Sequence, residues 1–503
     1  MNWRLATSRL LITGALLAGG CAPSSKSPPH SPGLSPLVTN VAQSRPASAL
    51  VLGEQSCASS GCHGAAFEGT ARDWHSAYTI WNQEDPHRRS FAVLYSERSV
   101  EMYHNLHPET KQFTEPPSDA EYAAFVSQRC LGCHATGLRG RNVVALGDAR
   151  DVPEYYLSGV TCESCHGPAN GWLHTHYLAG FSRTSPGFAD TKNPHTLAAQ
   201  CVGCHIGPMV ADNGRAYDMN HDLIAAGHPR LAFELSTYLA NYPRHWPEDG
   251  RITNVAAWAA GQEQSARQLT RQVLNRLAQA KRSPNESAWP DFSNFDCFDC
   301  HHTLRTPEDP RPRPARANSR RGVPRPALLP LASRRLLAQD NRPLEDELSR
   351  VQSALTSSWT TPVEDLTLAS EDLSLLLARE GEPLVAHRPA IDQRQRHIAV
   401  LHGMLASRST QGPPSFTWDE AVQFHLAVAA LVRDLGPAGD ELQAANQSLA
   451  AALGPQNFAS EHPRPYDSPS RFDPQQLLAP LDEIARQLAN LSSANETTTA
   501  RSP

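Results

Sequence analysis

The 503-residue sequence predicts a mainly α-helical fold with extensive loops, a cysteine- and histidine-rich domain over 49–305 and a helical bundle over 336–495. Three observations predict it. Apolar residues recur at helical spacing, as in Leu344, Leu348, Val351 and Leu355, and again in Leu477, Leu481, Ile484, Leu488 and Leu491. Forty-one prolines demand long irregular stretches between the folded parts. Of 11 cysteines, all but Cys21 lie in close pairs between residues 57 and 300. A net charge of −6 gives no electrostatic case for nucleic acid as a partner.

The pairs are Cys57/Cys62, Cys130/Cys133, Cys162/Cys165, Cys201/Cys204 and Cys297/Cys300, and each second cysteine is followed at once by His63, His134, His166, His205 or His301. With 22 histidines in the chain, five such placements by chance have a probability on the order of 10⁻⁷. Zinc is the competing reading, because Cys-x-x-Cys pairs build ribbon sites two pairs at a time. Five pairs do not divide into four-cysteine sites, and zinc needs no histidine after each. Cys-x-x-Cys-His is the attachment signature of c-type haem: two thiols add to the vinyl groups of one porphyrin edge and the next residue offers its imidazole to the iron. The pattern therefore predicts five covalently attached haem c groups. We number the sites 1 to 5 in chain order. Site 1 carries a four-residue spacer, "CASSGCH", whose small turn-forming residues can loop outward; a Cys57–Cys62 disulfide is the alternative there.

Each iron needs a ligand on its other face. Between residues 49 and 305 only Met102, Met209 and Met219 compete with many histidines, so histidine on both faces is the expectation. His87 follows the turn-forming "EDP" and opens a predicted helix, "HRRSFAVLY"; His176 follows site 3. His221 and His228 bracket "HDLIAAGH", on one helical face or at the two ends of a helix that Gly227 terminates. His302 adjoins His301. These five, His87, His176, His221, His228 and His302, are the candidate distal ligands. His75, His174 and His245 stand behind them, and His104, His107 and His195 read first as solvated or hydrogen-bonded side chains.

The N-terminus reads as an export signal over 1–21. Arg4 and Arg9 precede an apolar run too short to span a bilayer. Its end, "LLAGGC", resembles the lipobox of bacterial lipoproteins, which makes Cys21 the lipidated residue; an ordinary signal peptide cut nearby is the alternative. Ala22 stands where an inner-membrane retention signal carries Asp, so the resemblance implies anchoring to the outer membrane. Residues 22–48 are Pro- and Ser-rich and predict a disordered tether of roughly 30 Å.

"DPHRRSFAVL", "GVTCESCHGPANGW", "NHDLIAAGHPRLAFEL" and "DCFDCHH", in this order, resemble a family of exported multihaem cytochromes c related to cytochrome c-554, the electron carrier serving hydroxylamine oxidoreductase. The resemblance covers about residues 50–305. It implies helical, loop-rich polypeptide wrapped around closely packed haem pairs, electron transfer from haem to haem, and a periplasmic or cell-envelope location. Five attachment sites and a long C-terminal extension depart from the tetrahaem pattern.

Residues 306–335 are rich in Pro and Arg and read as a linker. Beyond it, Thr417 and Glu420 form a capping box before "AVQFHLAVAALVRDL", and Asp473-Pro474 starts a last helix. His397, His402 and His425 are read as structural. The sequence thus predicts a lipid-anchored electron-transfer protein with redox-protein partners. A reductase or oxidase of a small nitrogen or sulfur oxyanion, working at one five-coordinate haem, is the alternative.

Overall fold

The computed structural model describes residues 50–66, 74–107, 109, 119–136, 158–207, 209–210, 216–230, 233–246, 252–283, 289–295, 336, 341–357, 363–380, 390–406, 416–458, 469 and 472–499. Cys21 with the leader and tether, Cys297, Cys300, His301, His302 and the linker over 306–335 lie outside the described residues.

The chain is mainly α. Its first part strings short helices between loops: α1 (Ala77–Glu84), α2 (Glu97–Leu106), α3 (Asp119–Arg129), α4 (Leu131–His134), α5 (Cys162–His166), α6 (Pro194–His205), α7 (His221–Ala226) and α8 (Leu235–Asn241). One antiparallel pair, β1 (Met209–Val210) and β2 (Ala216–Tyr217), sets Met209 opposite Tyr217. The predicted helix at "HRRSFAVLY" is a correction. Two separate 3₁₀ turns form there, Pro86–Arg89 and Ala92–Tyr95. Asp85 starts the first by accepting from the His87 N–H, and tight turns rather than α-helix result. Gly227, at φ 120°, stops α7, so His221 and His228 occupy the two ends of a short helix.

The long helix α9 (Asn254–Arg282) is the spine, 29 residues and about 43 Å long. It is buried nearly all round, which explains its small residues: Ala257 and Ala260 meet Ala198 and Val202 of α6 and Leu235 of α8. Five later helices and one more complete the described fold: α10 (Arg342–Thr356), α11 (Val363–Glu380), α12 (Ala390–Ala406), α13 (Trp418–Leu435), α14 (Asp440–Ala452) and α15 (Leu478–Thr499). The second half of α9 packs Val273 and Leu277 against Leu344, Leu348, Val351 and Leu355 of α10 and against α11. Its first half packs Val255 and Trp258 into a core shared by α12 to α15. The sequence-derived stripe on α10 is fully buried.

Helix starts are fixed by side-chain caps, each worth about 1 kcal/mol. Asn193 caps α6, Asn220 caps α7, Thr253 caps α9 and Asn341 caps α10. Thr417 and Glu420 make the reciprocal capping box on α13. Asp473 starts a 3₁₀ turn, Pro474–Leu477, that leads into α15. No described helix is long and apolar enough to cross a membrane.

Candidate functional site

Helical geometry explains how three motif residues reach one target. Positions i, i+3 and i+4 share a helix face, so Cys201, Cys204 and His205 point to one side of α6, and Cys162, Cys165 and His166 to one side of α5. Cys130 sits just before α4, which ends at His134. At site 1 a 3₁₀ turn ends at Cys57, and the spacer folds back through Cys62 N–H and Gly64 N–H donating to the Ser59 carbonyl. The four-residue spacer closes as a turn. Among the described residues, no disulfide joins Cys57 to Cys62 or involves the other six motif cysteines.

Among the described residues the cysteine pairs are not gathered four to a site. Among the described residues no group of three or more His, Cys, Asp or Glu side chains is placed to hold a metal ion. The motif histidines instead face other histidines. The ring centres of His63 and His176 are 6.1 Å apart, those of His205 and His87 6.1 Å, those of His134 and His228 6.4 Å, and those of His166 and His245 6.3 Å. A ring nitrogen bonds a metal at about 2 Å and lies about 1.1 Å from its own ring centre, so two imidazoles trans on one iron have centres about 6.3 Å apart. The four gaps match that span. Each pair can hold one iron between its rings, flanked by a cysteine pair that can hold the porphyrin.

Hydrogen bonds orient these rings. Nδ1 of His63 donates to the Trp74 carbonyl (2.6 Å), of His134 to the Ser90 carbonyl (2.8 Å), of His176 to the Leu173 carbonyl (2.7 Å) and of His228 to the Pro229 carbonyl (2.8 Å). Nδ1 of His87 meets the Asp85 carboxylate at 2.9 Å. Committing Nδ1 as donor leaves the Nε2 lone pair as the one that can bind a metal. Burial holds the His166 and His205 imidazoles down to about 4, so both are neutral at pH 7, the metal-binding form. Burial likewise pushes the Cys130 thiol up to about 12, far from a reactive thiolate.

Apolar rings beside the facing histidines add a second test. Trp74 and Tyr177, edge-on to His63 and His176, are 52% and 70% exposed, and Tyr238 against His205 is 37% exposed. Large aromatics left open around a paired-imidazole gap suit a large flat apolar group that would cover them. The residues present therefore fit haem c at sites 1 to 4.

The sites adjoin one another. The Cys57 and Cys162 side chains lie within interaction range of each other, which places sites 1 and 3 side by side. Tyr217 packs against Cys133 and Cys204, between sites 2 and 4. The Tyr242 ring lies 6.1 Å from His87 and 6.0 Å from His245, between sites 4 and 3. Glu163, inside the site 3 motif and buried, accepts from the N–H groups of Leu52, Gly53 and Ala169 and so pins the chain leading to Cys57.

Of the five sequence-derived distal candidates, His87, His176 and His228 face motif histidines. His221 starts α7 against the Phe292 ring (5.5 Å), on the stretch that leads to site 5, and His302 lies outside the described residues. His245, in "RHWPED", faces His166 although the sequence placed it behind the leading candidates. No spacing marks it; the turn after α8 brings it there. His107 bonds the Tyr103 carbonyl (2.9 Å), His195 is buried with Nδ1 2.9 Å from Glu263 Oε2 without hydrogen-bond alignment, His397 bonds the Ala427 carbonyl (2.8 Å) and His425 bonds Asn446 (2.9 Å).

Residues 56–167, spanning the first three cysteine pairs, match the family model described as cytochrome c554 and c-prime. Cytochrome c-554 of Nitrosomonas europaea is 27% identical over 109 residues, 20% of this chain and 44% of its own length. The chain thus spans under half of the curated relative it matches. No solved structure matches it.

Proposed function

We propose that this chain, cytochrome c-554-like over residues 56–167, is an exported pentahaem c-type cytochrome that is held at the cell envelope by a lipid on Cys21 and relays single electrons between redox proteins. The observation that carries the reading is the set of four histidine pairs whose ring centres lie 6.1 to 6.4 Å apart, each pair including the histidine of a cysteine motif.

Haem c, when bound, supplies a one-electron Fe(III)/Fe(II) couple in a tetrapyrrole plane. His63 with His176, His134 with His228, His166 with His245 and His205 with His87 would hold the iron at sites 1, 2, 3 and 4. With two fixed imidazoles, coordination hardly changes between the two iron states, which keeps reorganisation small. His221 and His302 remain the distal candidates at site 5, and the Phe292 contact favours His221. The side-chain contacts order the sites as 1, 3, 4, 2: Cys57 lies beside Cys162, Tyr242 links His245 to His87, and Tyr217 links Cys204 to Cys133. A reductase or oxidase needs an iron with a vacant face, and the facing imidazoles at sites 1 to 4 leave none there, which favours the carrier.

Intact mass of the protein, expressed with haem c maturation machinery, tests this reading. The expected mass is that of the processed chain plus five haems. Repeating the measurement on Cys57→Ala, Cys62→Ala should remove one, assigning site 1. A chain carrying no haem, or crosslinked through sulfur, would overturn the reading.

A further inference from the structure

We infer that Asp85 and Tyr242 form a tuning pair on the distal ligand of site 4, Asp85 lowering that iron's reduction potential and Tyr242 restraining the effect. The inference rests on the haem reading above and concerns two residues to which that reading assigns no axial role.

Asp85 is 3% exposed. Its Oδ1 accepts from the His87 N–H and from His87 Nδ1, both at 2.9 Å, and its Oδ2 accepts from the Tyr242 hydroxyl. None of these donors is a permanent cation. A carboxylate buried beside neutral donors is costly unless positive charge lies near. A ferric iron held by His87 would supply that charge, and a ferrous one would carry one unit less. The carboxylate therefore favours Fe(III).

Hydrogen bonding acts in the same direction. A carboxylate that draws the Nδ1 proton makes the opposite nitrogen a stronger donor to the metal. At His63, His134, His176 and His228 the corresponding acceptor is a main-chain carbonyl, which draws the proton far less. Site 4 is set apart from sites 1 and 2 on that ground.

Tyr242 opposes Asp85. Its hydroxyl donates to the second carboxylate oxygen and so withdraws charge that would otherwise bear on His87. Its ring also contacts His245, the histidine facing His166 of site 3. One side chain thus touches the distal ligands of two neighbouring sites, and the difference in potential between them is set where they meet. In the redox step one electron enters from an external reductant and ferric becomes ferrous. No bond forms or breaks, and the Nδ1 proton stays between His87 and Asp85.

The test is an EPR-monitored redox titration of the full haem-loaded protein and of Asp85→Asn, Tyr242→Phe and His87→Gly. His87→Gly identifies the site 4 signal by converting it from low to high spin; if every low-spin signal survives, the ligand pairing at site 4 is wrong and the haem reading fails there. With the signal assigned, Asp85→Asn should raise the ferrous-to-ferric ratio of site 4 at a fixed poise, roughly tenfold. Tyr242→Phe, which keeps the ring, should lower it. Opposite shifts on one iron are not what general loosening of the fold produces. An unchanged site 4 in Asp85→Asn, or shifts of the same sign in both variants, overturns the inference. If Asp85→Asn does not fold, Tyr242→Phe decides by the sign of its shift alone.

Discussion

An imidazole binds iron well when one nitrogen is tied as a donor and the other is left bare, and the ring must be neutral. His63, His134, His176 and His228 meet the first condition through main-chain carbonyls, and burial meets the second at His166 and His205. The motif histidines stand out in the sequence because each follows a cysteine directly. His87, His176 and His228, which the structure sets opposite motif histidines, stand out by local context: a turn, a nearby motif and a helix end. His245 does not, because nothing in "RHWPED" records that the turn after α8 aims this ring at His166. Replacing His245 by Gly should leave site 3 with one axial histidine. We expect one new high-spin ferric signal in EPR and a site that now binds cyanide, with the other signals unchanged. A spectrum identical to wild type would remove His245 as a ligand.

At the scale of elements, short helices carry the motif histidines and buried polar contacts hold those helices in register. Glu163 is the clearest case: on α5, it gathers three main-chain N–H groups from the segment before Cys57 and from Ala169. Glu163→Ala strands those donors in a buried pocket, and at 1.5–3 kcal/mol for a bond to a charged group the loss is about 3 kcal/mol or more. Thermal unfolding of the variant should show a markedly lower midpoint, and a change within error would contradict the role. Gly167, directly after His166 at φ 83°, ends α5 where an added Cβ would lie 2.0 Å from the Gly187 carbonyl oxygen, so the loop returns tightly over site 3. Such contacts join residues far apart in sequence, which is why they left no local signal. The capping box at Thr417 and the stripe on α10 did leave one, since both are short-range patterns. "HRRSFAVLY" misled for the converse reason: its apolar spacing suits a helix, but Asp85 diverts the backbone into a 3₁₀ turn.

At the scale of the molecule, α9 packs against both the cysteine- and histidine-rich part and the later helices. Asp434 of α13 accepts from the N–H groups of Asn254 and Val255 at the start of α9, and Arg230, two residues after His228, pairs with Asp419 of α13. The C-terminal helices therefore brace the segment carrying His228, a role that periodicity alone did not reveal. His397 of α12 lies at this junction, buried, edge-on to Trp258 of α9 and donating from Nε2 to the Ala427 carbonyl. Burial holds its imidazole down to about 4, against the ordinary 6.5. The unfolded chain binds the proton first, so stability is complete above pH 6.5 and falls as pH drops from 6.5 toward 4, by up to about 3 kcal/mol. Denaturant titrations at pH 7 and pH 4.5 should show this loss, and His397→Gln should reduce it; an undiminished loss in the variant would place its origin elsewhere.

The facing pairs also carry an orientation. The imidazole planes are nearly parallel at His63–His176 (21°), nearly perpendicular at His87–His205 (88°) and His134–His228 (90°), and 69° apart at His166–His245. Parallel planes split the iron's two dπ orbitals and perpendicular planes leave them almost equal in energy. A quantitative EPR spectrum of the oxidised protein reads this directly. The account predicts low-spin ferric haem at sites 1 to 4, with one rhombic signal and at least two of large anisotropy. High-spin signals accounting for most of the iron would contradict it.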